Sequence, residues 1–225
     1  MILVSLFDIL GPVMVGPSSS HTAGACRLGL MARAIVGGQP EDVTIRLHGS
    51  FAATGEGHGT HRAIVGGLLG FSPDDLRLRD AFAEAERAGL RYRFETIDLG
   101  DDAHPNTSVF ELRRSSAEVH VQGASIGGGR VEVTDIDGFP VSLGGDYHTL
   151  IVLARDEPGT IATISARFAE RGVNLATMRV DRTGRRKEAL MTIEVDEPIA
   201  AEVLDALRAE PWLLWARPVP KIAGS

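Results

Sequence analysis

The tightest constraint on this fold lies between Leu150 and Val219, where the hydrophobic pattern switches between strand and helix periods in a single order: strand, helix, strand, strand, helix, strand. Leu150–Ala154 is an unbroken apolar run suited to a buried strand, and Arg155-Asp156-Glu157-Pro158-Gly159 is a turn. Ile161, Ile164, Phe168 and Ala169 then recur at helical spacing, and Gly172 stands where a left-handed cap ends a helix. Val173–Asp181 reads as a strand, Arg182-Thr183-Gly184-Arg185 as a hairpin turn and Ala189–Val195 as the partner strand. Pro198–Leu207 gives a second helix and Trp212–Val219 a last strand. This order predicts a ferredoxin-like βαββαβ unit.

Composition shifts at Gly144-Gly145-Asp146-Tyr147-His148, with several glycine-rich loops before it and few glycines after. At 225 residues the chain has room for two domains, each with its own core. The predicted boundaries are 1–145 and 148–225, and the predicted fold class is α/β (α+β). In the first domain Val43–His48 alternates like a half-buried strand, and Ala23–Val36 places Cys26, Leu30, Met31, Ala34 and Ile35 on one helical stripe. Ala63–Leu69 and Leu78–Ala88, the latter ended by Gly89, read as helices. Tyr92–Ile97, Ser108–Leu112, Glu118–Gln122 and Val131–Thr134 read as strands.

Charge and composition narrow the function classes. Hydrophobic residues are 44% and charged residues 24% of the chain, a globular balance. The net charge of -7, with only short basic runs such as Arg185-Arg186-Lys187, argues against a nucleic-acid partner. The apolar opening Met1–Phe7 has no basic leader and is cut by Asp8, far short of a membrane span, so a cytoplasmic protein is expected, with no membrane partner. The single cysteine, Cys26, sits on an apolar stripe and reads as core; it excludes an internal disulfide and cannot by itself hold an iron-sulfur cluster.

Four segments could carry chemistry. Gly16-Pro17-Ser18-Ser19-Ser20-His21-Thr22-Ala23-Gly24 leads into the first helix, with Ser20 or Thr22 as its expected N-cap. Amides at a helix start attract carboxylates and phosphates, and a histidine among hydroxyls there suits proton transfer near neutral pH. The plainer reading is a serine-rich cap with no ligand. Gly49–His61 reads as a second glycine-rich turn holding Thr54, His58 and His61, either another wall of the same pocket or a turn with surface histidines. His58 and His61, three apart and without a carboxylate or cysteine set beside them, make only a weak metal signal, and no metal is expected. His104-Pro105-Asn106-Thr107 and Gly123-Ala124-Ser125-Ile126-Gly127-Gly128-Gly129 complete the set; the glycines line a ligand carboxylate or mark a bulge.

Two resemblances draw these segments together. Residues from His148 to about Pro220, with Asp156-Glu157-Pro158-Gly159 and Gly172-Val173-Asn174-Leu175, resemble an ACT domain. In the first domain, Ser5-Leu6-Phe7-Asp8, Gly16–Thr22, Gly49-Ser50 with Thr54-Gly55-Glu56-Gly57-His58, and Ser125–Gly129 together resemble the beta domain of iron-sulfur L-serine dehydratases. That resemblance implies conversion of L-serine to pyruvate and ammonia, as an L-serine ammonia-lyase, with an alpha chain that holds a four-iron four-sulfur cluster. It implies substrate contacts from Ser18, Ser19, Ser20, Thr22, Thr54, Gly127 and Gly128, proton transfer by His21 or His58, and ACT-mediated self-association; His61 stays open. The competing reading is a non-catalytic amino-acid sensor, and a third is a scaffold for the alpha chain.

Overall fold

The structure is a computed structural model that describes residues 13–222, so the Ser5-Leu6-Phe7-Asp8 motif lies outside the described residues. A π-helical turn, Ser19–Gly24, runs directly into α1 (Ala25–Ile35). Then follow β1 (Asp42–Leu47), α2 (Gly49–His58), α3 (Thr60–Leu69), a 3-10 turn (Leu76–Asp80), α4 (Ala81–Arg87) and β2 (Arg91–Thr96). Four strands complete the first half: β3 (Thr107–Arg114), β4 (Ala117–Gly127), β5 (Arg130–Ile136) and β6 (Phe139–Leu143). The six strands form one sheet in the order β2-β1-β3-β4-β5-β6. Only β1 and β2 run parallel, because α2, α3 and α4 form the crossover between them.

The second half contains β7 (His148–Arg155), α5 (Thr160–Ala169), β8 (Leu175–Arg182), β9 (Glu188–Val195), α6 (Ala201–Arg208) and β10 (Leu213–Val219). Its antiparallel sheet has the order β10-β7-β9-β8, which is the predicted βαββαβ arrangement. Leu150, Val152, Ala154, Met191 and Ile193 pack with Ile164 and Phe168 of α5 and Leu207 of α6. Ile161 belongs to the predicted stripe yet is 49% exposed, at the margin of that face.

The opposite face of this sheet is also dry. Ile151, Leu190 and Val219 share one buried cluster with Leu28, Met31 and Ile35 of α1. Helix α1 thus packs on both sheets, through β3, β4 and β5 on one side and β10 on the other. Its N-terminal end carries the serine loop, and its C-terminal end reaches the junction. The outer face of the first sheet is polar: Arg46 pairs with Glu95 on β2 at 2.9 Å and with Glu111 on β3 at 2.6 Å.

Three local readings change. Gly49–His58 is a helix, not a turn. Glycines signal loops, but here Phe51 is fully buried and Gly55 lets the His61 ring approach, so packing outweighs the low helix propensity. Strand β4 extends through Gly123 to Gly127, because Gly123 lies where a Cβ would stand 2.9 Å from the Leu28 side chain and from the Glu132 carbonyl. Phe139–Leu143, which has no assignment in the sequence reading, is an edge strand whose Phe139, Val141 and Leu143 face the core.

Candidate functional site

The serine loop opens with a sharp reversal at Gly16, whose φ is +155°. A Cβ there would stand 2.4 Å from Thr22 Oγ1, so the glycine leaves space that Thr22 fills. The chain then becomes helical earlier than expected. Ser18, in place of Ser20 or Thr22, is the N-cap: its Oγ accepts from the His21 amide at 3.1 Å, and its carbonyl accepts from the Thr22 amide at 2.8 Å. The wide first turn explains the shift, since a π turn takes in residues that a regular cap would leave outside. Ser19, Ser20 and His21 are half-buried, whereas Thr22 is 3% exposed and directs its hydroxyl to the His58 carbonyl at 3.5 Å.

Helix α2 supplies the opposite wall. Gly49 has φ +54°, and a Cβ there would come within 2.8 Å of Pro105, which gives the His104–Thr107 segment its place beneath the helix start. Ser50, Thr54 and His58 are spaced by four and therefore share one face. That face meets His21. His21 Nε2 lies 3.2 Å from Ser50 Oγ and 3.1 Å from Thr54 Oγ1, and its ring is edge-on to Phe51 at 5.2 Å and 5.0 Å from the His58 ring. The Thr54 hydroxyl donates to the Ser50 carbonyl at 2.9 Å, and His58 Nδ1 lies 3.1 Å from the Thr54 carbonyl.

The electrostatics favour a neutral imidazole. Burial lowers the pKa of His21 first, the neighbouring His58 charge lowers it further, and the Ser50 backbone partly opposes both. His61 stands apart, stacked on Phe94 at 4.1 Å between centroids, and burial also lowers its pKa against the pull of Glu56. Two cavities flank His58. One of about 640 Å³ is lined by Thr54, His58, His61, Phe94 and Glu95, and one of about 600 Å³ by Gly16, Thr22, His58 and Arg62. Their volumes suit small ligands.

The two loops therefore meet, joining Ser18, His21, Thr22, Thr54 and His58. Ser50 is an additional member of the cluster that the sequence reading quoted only as part of a motif. Its signal was the four-residue spacing to Thr54 and His58, which carries meaning only once residues 49–58 are known to be helical. The fourth segment approaches from the side: Ser125 is fully buried against Gly24, its amide donating to the Asn106 carbonyl at 3.0 Å. Gly127 ends β4 and Gly128 and Gly129 form the two-residue turn into β5, all three at positive φ, and the Gly129 carbonyl accepts from Arg27. No hydrogen bond among the described residues links these glycines to His21.

The donor set does not suit a metal cluster. Among the described residues no three His, Cys, Asp or Glu side chains converge on a metal position. Cys26 is fully buried, its Sγ is 3.2 Å from the Phe71 carbonyl, and burial pushes its thiol up to about 12. Among the described residues no helix is long and apolar enough to cross a membrane.

Comparison with known proteins matches residues 5–93 to the family described as Serine dehydratase beta chain and residues 148–211 to the ACT domain. The chain is 44% identical over 207 residues to the probable L-serine dehydratase beta chain of Bacillus subtilis (strain 168), covering 92% of this chain and 94% of that one. It is 40% identical over 205 residues to the L-serine dehydratase beta chain of Peptoniphilus asaccharolyticus, covering 90% and 92%. It is also 28% identical over 184 residues to a D-3-phosphoglycerate dehydrogenase of Synechocystis sp., covering 80% of this chain but 32% of that protein.

Proposed function

Because the chain belongs to the L-serine dehydratase beta-chain family and ends in an ACT domain, we propose that it joins a separate alpha chain to convert L-serine to pyruvate and ammonia. Residues 1–145 form the substrate-binding domain of this assembly and 148–225 the regulatory one. The observation that carries the reading is the placement of a neutral His21, bracketed by Ser50 and Thr54, on a turn whose leading amides point out of a helix start.

This chain's residues bind serine and move a proton. The substrate carboxylate docks on the amides and hydroxyls of Ser19 and Ser20, where the helix-end partial charge is positive. Ser18 and Thr22 brace that turn from beneath. His21 takes the Cα proton, the C–H electron pair becomes the Cα=Cβ bond, and the Cβ–O bond breaks to release hydroxide. His58, one imidazole away, is the alternative acid-base group. The resulting aminoacrylate tautomerises and hydrolyses to pyruvate and ammonia.

The four-iron four-sulfur cluster of this proposal is held mainly by the alpha chain, since the buried Cys26 is the chain's single cysteine and offers no ligand set. We also assign the assembly to the cytoplasm, and pairing between ACT domains to the sheet edges left at β8 and β10. The test is to mix the purified chain with its alpha chain and measure pyruvate. Wild type should turn over serine, and His21→Ala should lose at least about a hundredfold in kcat, the usual weight of one acid-base group. Full activity in both His21→Ala and His58→Ala overturns the mechanism.

A second reading rests on the similarity to about a third of a D-3-phosphoglycerate dehydrogenase, which carries a stretch 28% identical to this chain. Under that reading both domains sense an amino acid and no residue here enters an active site. The same histidine variants decide it, because a sensor tolerates them without loss of turnover.

A further inference from the structure

We infer that Thr54 is a positioning residue that holds His21 as the Nε2–H tautomer, so that Nδ1 is the nitrogen that takes up the substrate proton. The inference deepens the proposed function and rests on it for the chemical step, though not for the tautomer.

A threonine hydroxyl has one hydrogen to give. Thr54 gives it to the Ser50 carbonyl at 2.9 Å, four residues back in the same helix. Toward His21 Nε2, at 3.1 Å, the same oxygen can then only accept. The hydrogen between them must therefore sit on nitrogen, and a neutral imidazole carries just one N–H. Nδ1 is left with a lone pair that no hydrogen bond among the described residues uses.

The surroundings of Nε2 agree. Ser50 Oγ stands 3.2 Å away, and its lone pairs can accept from the same N–H. Phe51 fixes the ring plane by its edge-on contact at 5.2 Å. The imidazole is thus held at one nitrogen by α2 and leaves the other to a ligand, the logic by which an orienting group sets the tautomer of a general base.

The test begins with the full chain, labelled with 15N at histidine, in a two-bond proton-nitrogen correlation spectrum at neutral pH. His21→Gln identifies the His21 signals by their loss. The expected result is a pyrrole-type Nε2 and a pyridine-type Nδ1. Thr54→Val, which removes the acceptor while keeping the shape, should move both nitrogens toward the average of the two tautomers, and Thr54→Ser should restore them. In the assembled enzyme Thr54→Val should lower kcat on the order of tenfold with little change in KM, again recovered by Thr54→Ser. A pyridine-type Nε2 in the wild-type chain overturns the inference, as does a Thr54→Val chain with unmoved His21 signals. If the spectrum is as expected but His21→Ala turns over serine normally, the proton-uptake role falls with the proposed function, and that failure is distinct from a wrong tautomer.

Discussion

Gly24 and Ser125 are in such close contact that a Cβ on Gly24 would stand 2.0 Å from Ser125 Oγ and 2.8 Å from its Cβ. This is where the end of the π-helical turn docks on β4, and it sets how closely the serine loop approaches the sheet. Ser125 is fully buried, so it has nowhere to retreat. Gly24→Ala should cost about 1–3 kcal/mol, the usual penalty for overpacking a tight core. Urea unfolding of the isolated chain measures it, and Ser125→Gly in the same chain should recover part of the loss.

Gly57 presents the reverse case. It lies inside α2, its φ is not positive, and apart from its chain neighbours and the local helix backbone no described atom lies within 4 Å of where a Cβ would be. Neither backbone geometry nor internal packing requires glycine there. Gly57→Ala should therefore stabilise the isolated chain by about 0.5–1 kcal/mol, from helix propensity alone. If the same variant weakens assembly with the alpha chain in a sedimentation experiment, Gly57 lies in the contact.

Acid should loosen the fold through two imidazoles. His21 and His61 both titrate below the ordinary 6.5 in the folded chain, each chiefly because burial disfavours the charged ring. The unfolded chain then binds these protons at higher pH than the folded chain does. Stability is at its full value above 6.5, falls as pH drops through 6.5, and stops falling on this account once pH lies below the folded values. Urea midpoints measured from about pH 7 to about pH 5 should decline, and the decline should be shallower in His21→Gln and in His61→Gln. A steeper decline in either variant would contradict the assigned direction.

Cys26 should be inert while the chain is folded. With a thiol pushed up to about 12 and no exposed surface, its thiolate fraction at pH 8 is on the order of one in ten thousand. Alkylation by iodoacetamide at that pH should leave the native chain unmodified and label it once in denaturant. Mass spectrometry reads both outcomes.

The sequence by itself determined the element types wherever one hydrophobic period ran without interruption. The βαββαβ order after His148, the stripe of α1 with Cys26 and Met31 inside, and the β1 strand are all set by neighbours within a few residues, because period and capping are local properties. The same local signals misled at Gly49–His58, where glycine content outweighed the buried Phe51, and at Gly123–Gly127, where the strand depends on α1 packing across it.

The candidate site was half legible for the same reason. His21 and its serines were visible as an unusual loop, and Thr54 and His58 as polar residues among glycines. Only the tertiary structure decided that Ser50, Thr54 and His58 share a helix face, that this face closes on His21, and that Ser18 caps the turn. It also decided that α1 joins the serine loop to the second sheet. The contacts of Ser50 and Thr54 with His21 join residues about 30 positions apart along the chain, and their geometry follows from how helices and sheets pack, which no short window of sequence records.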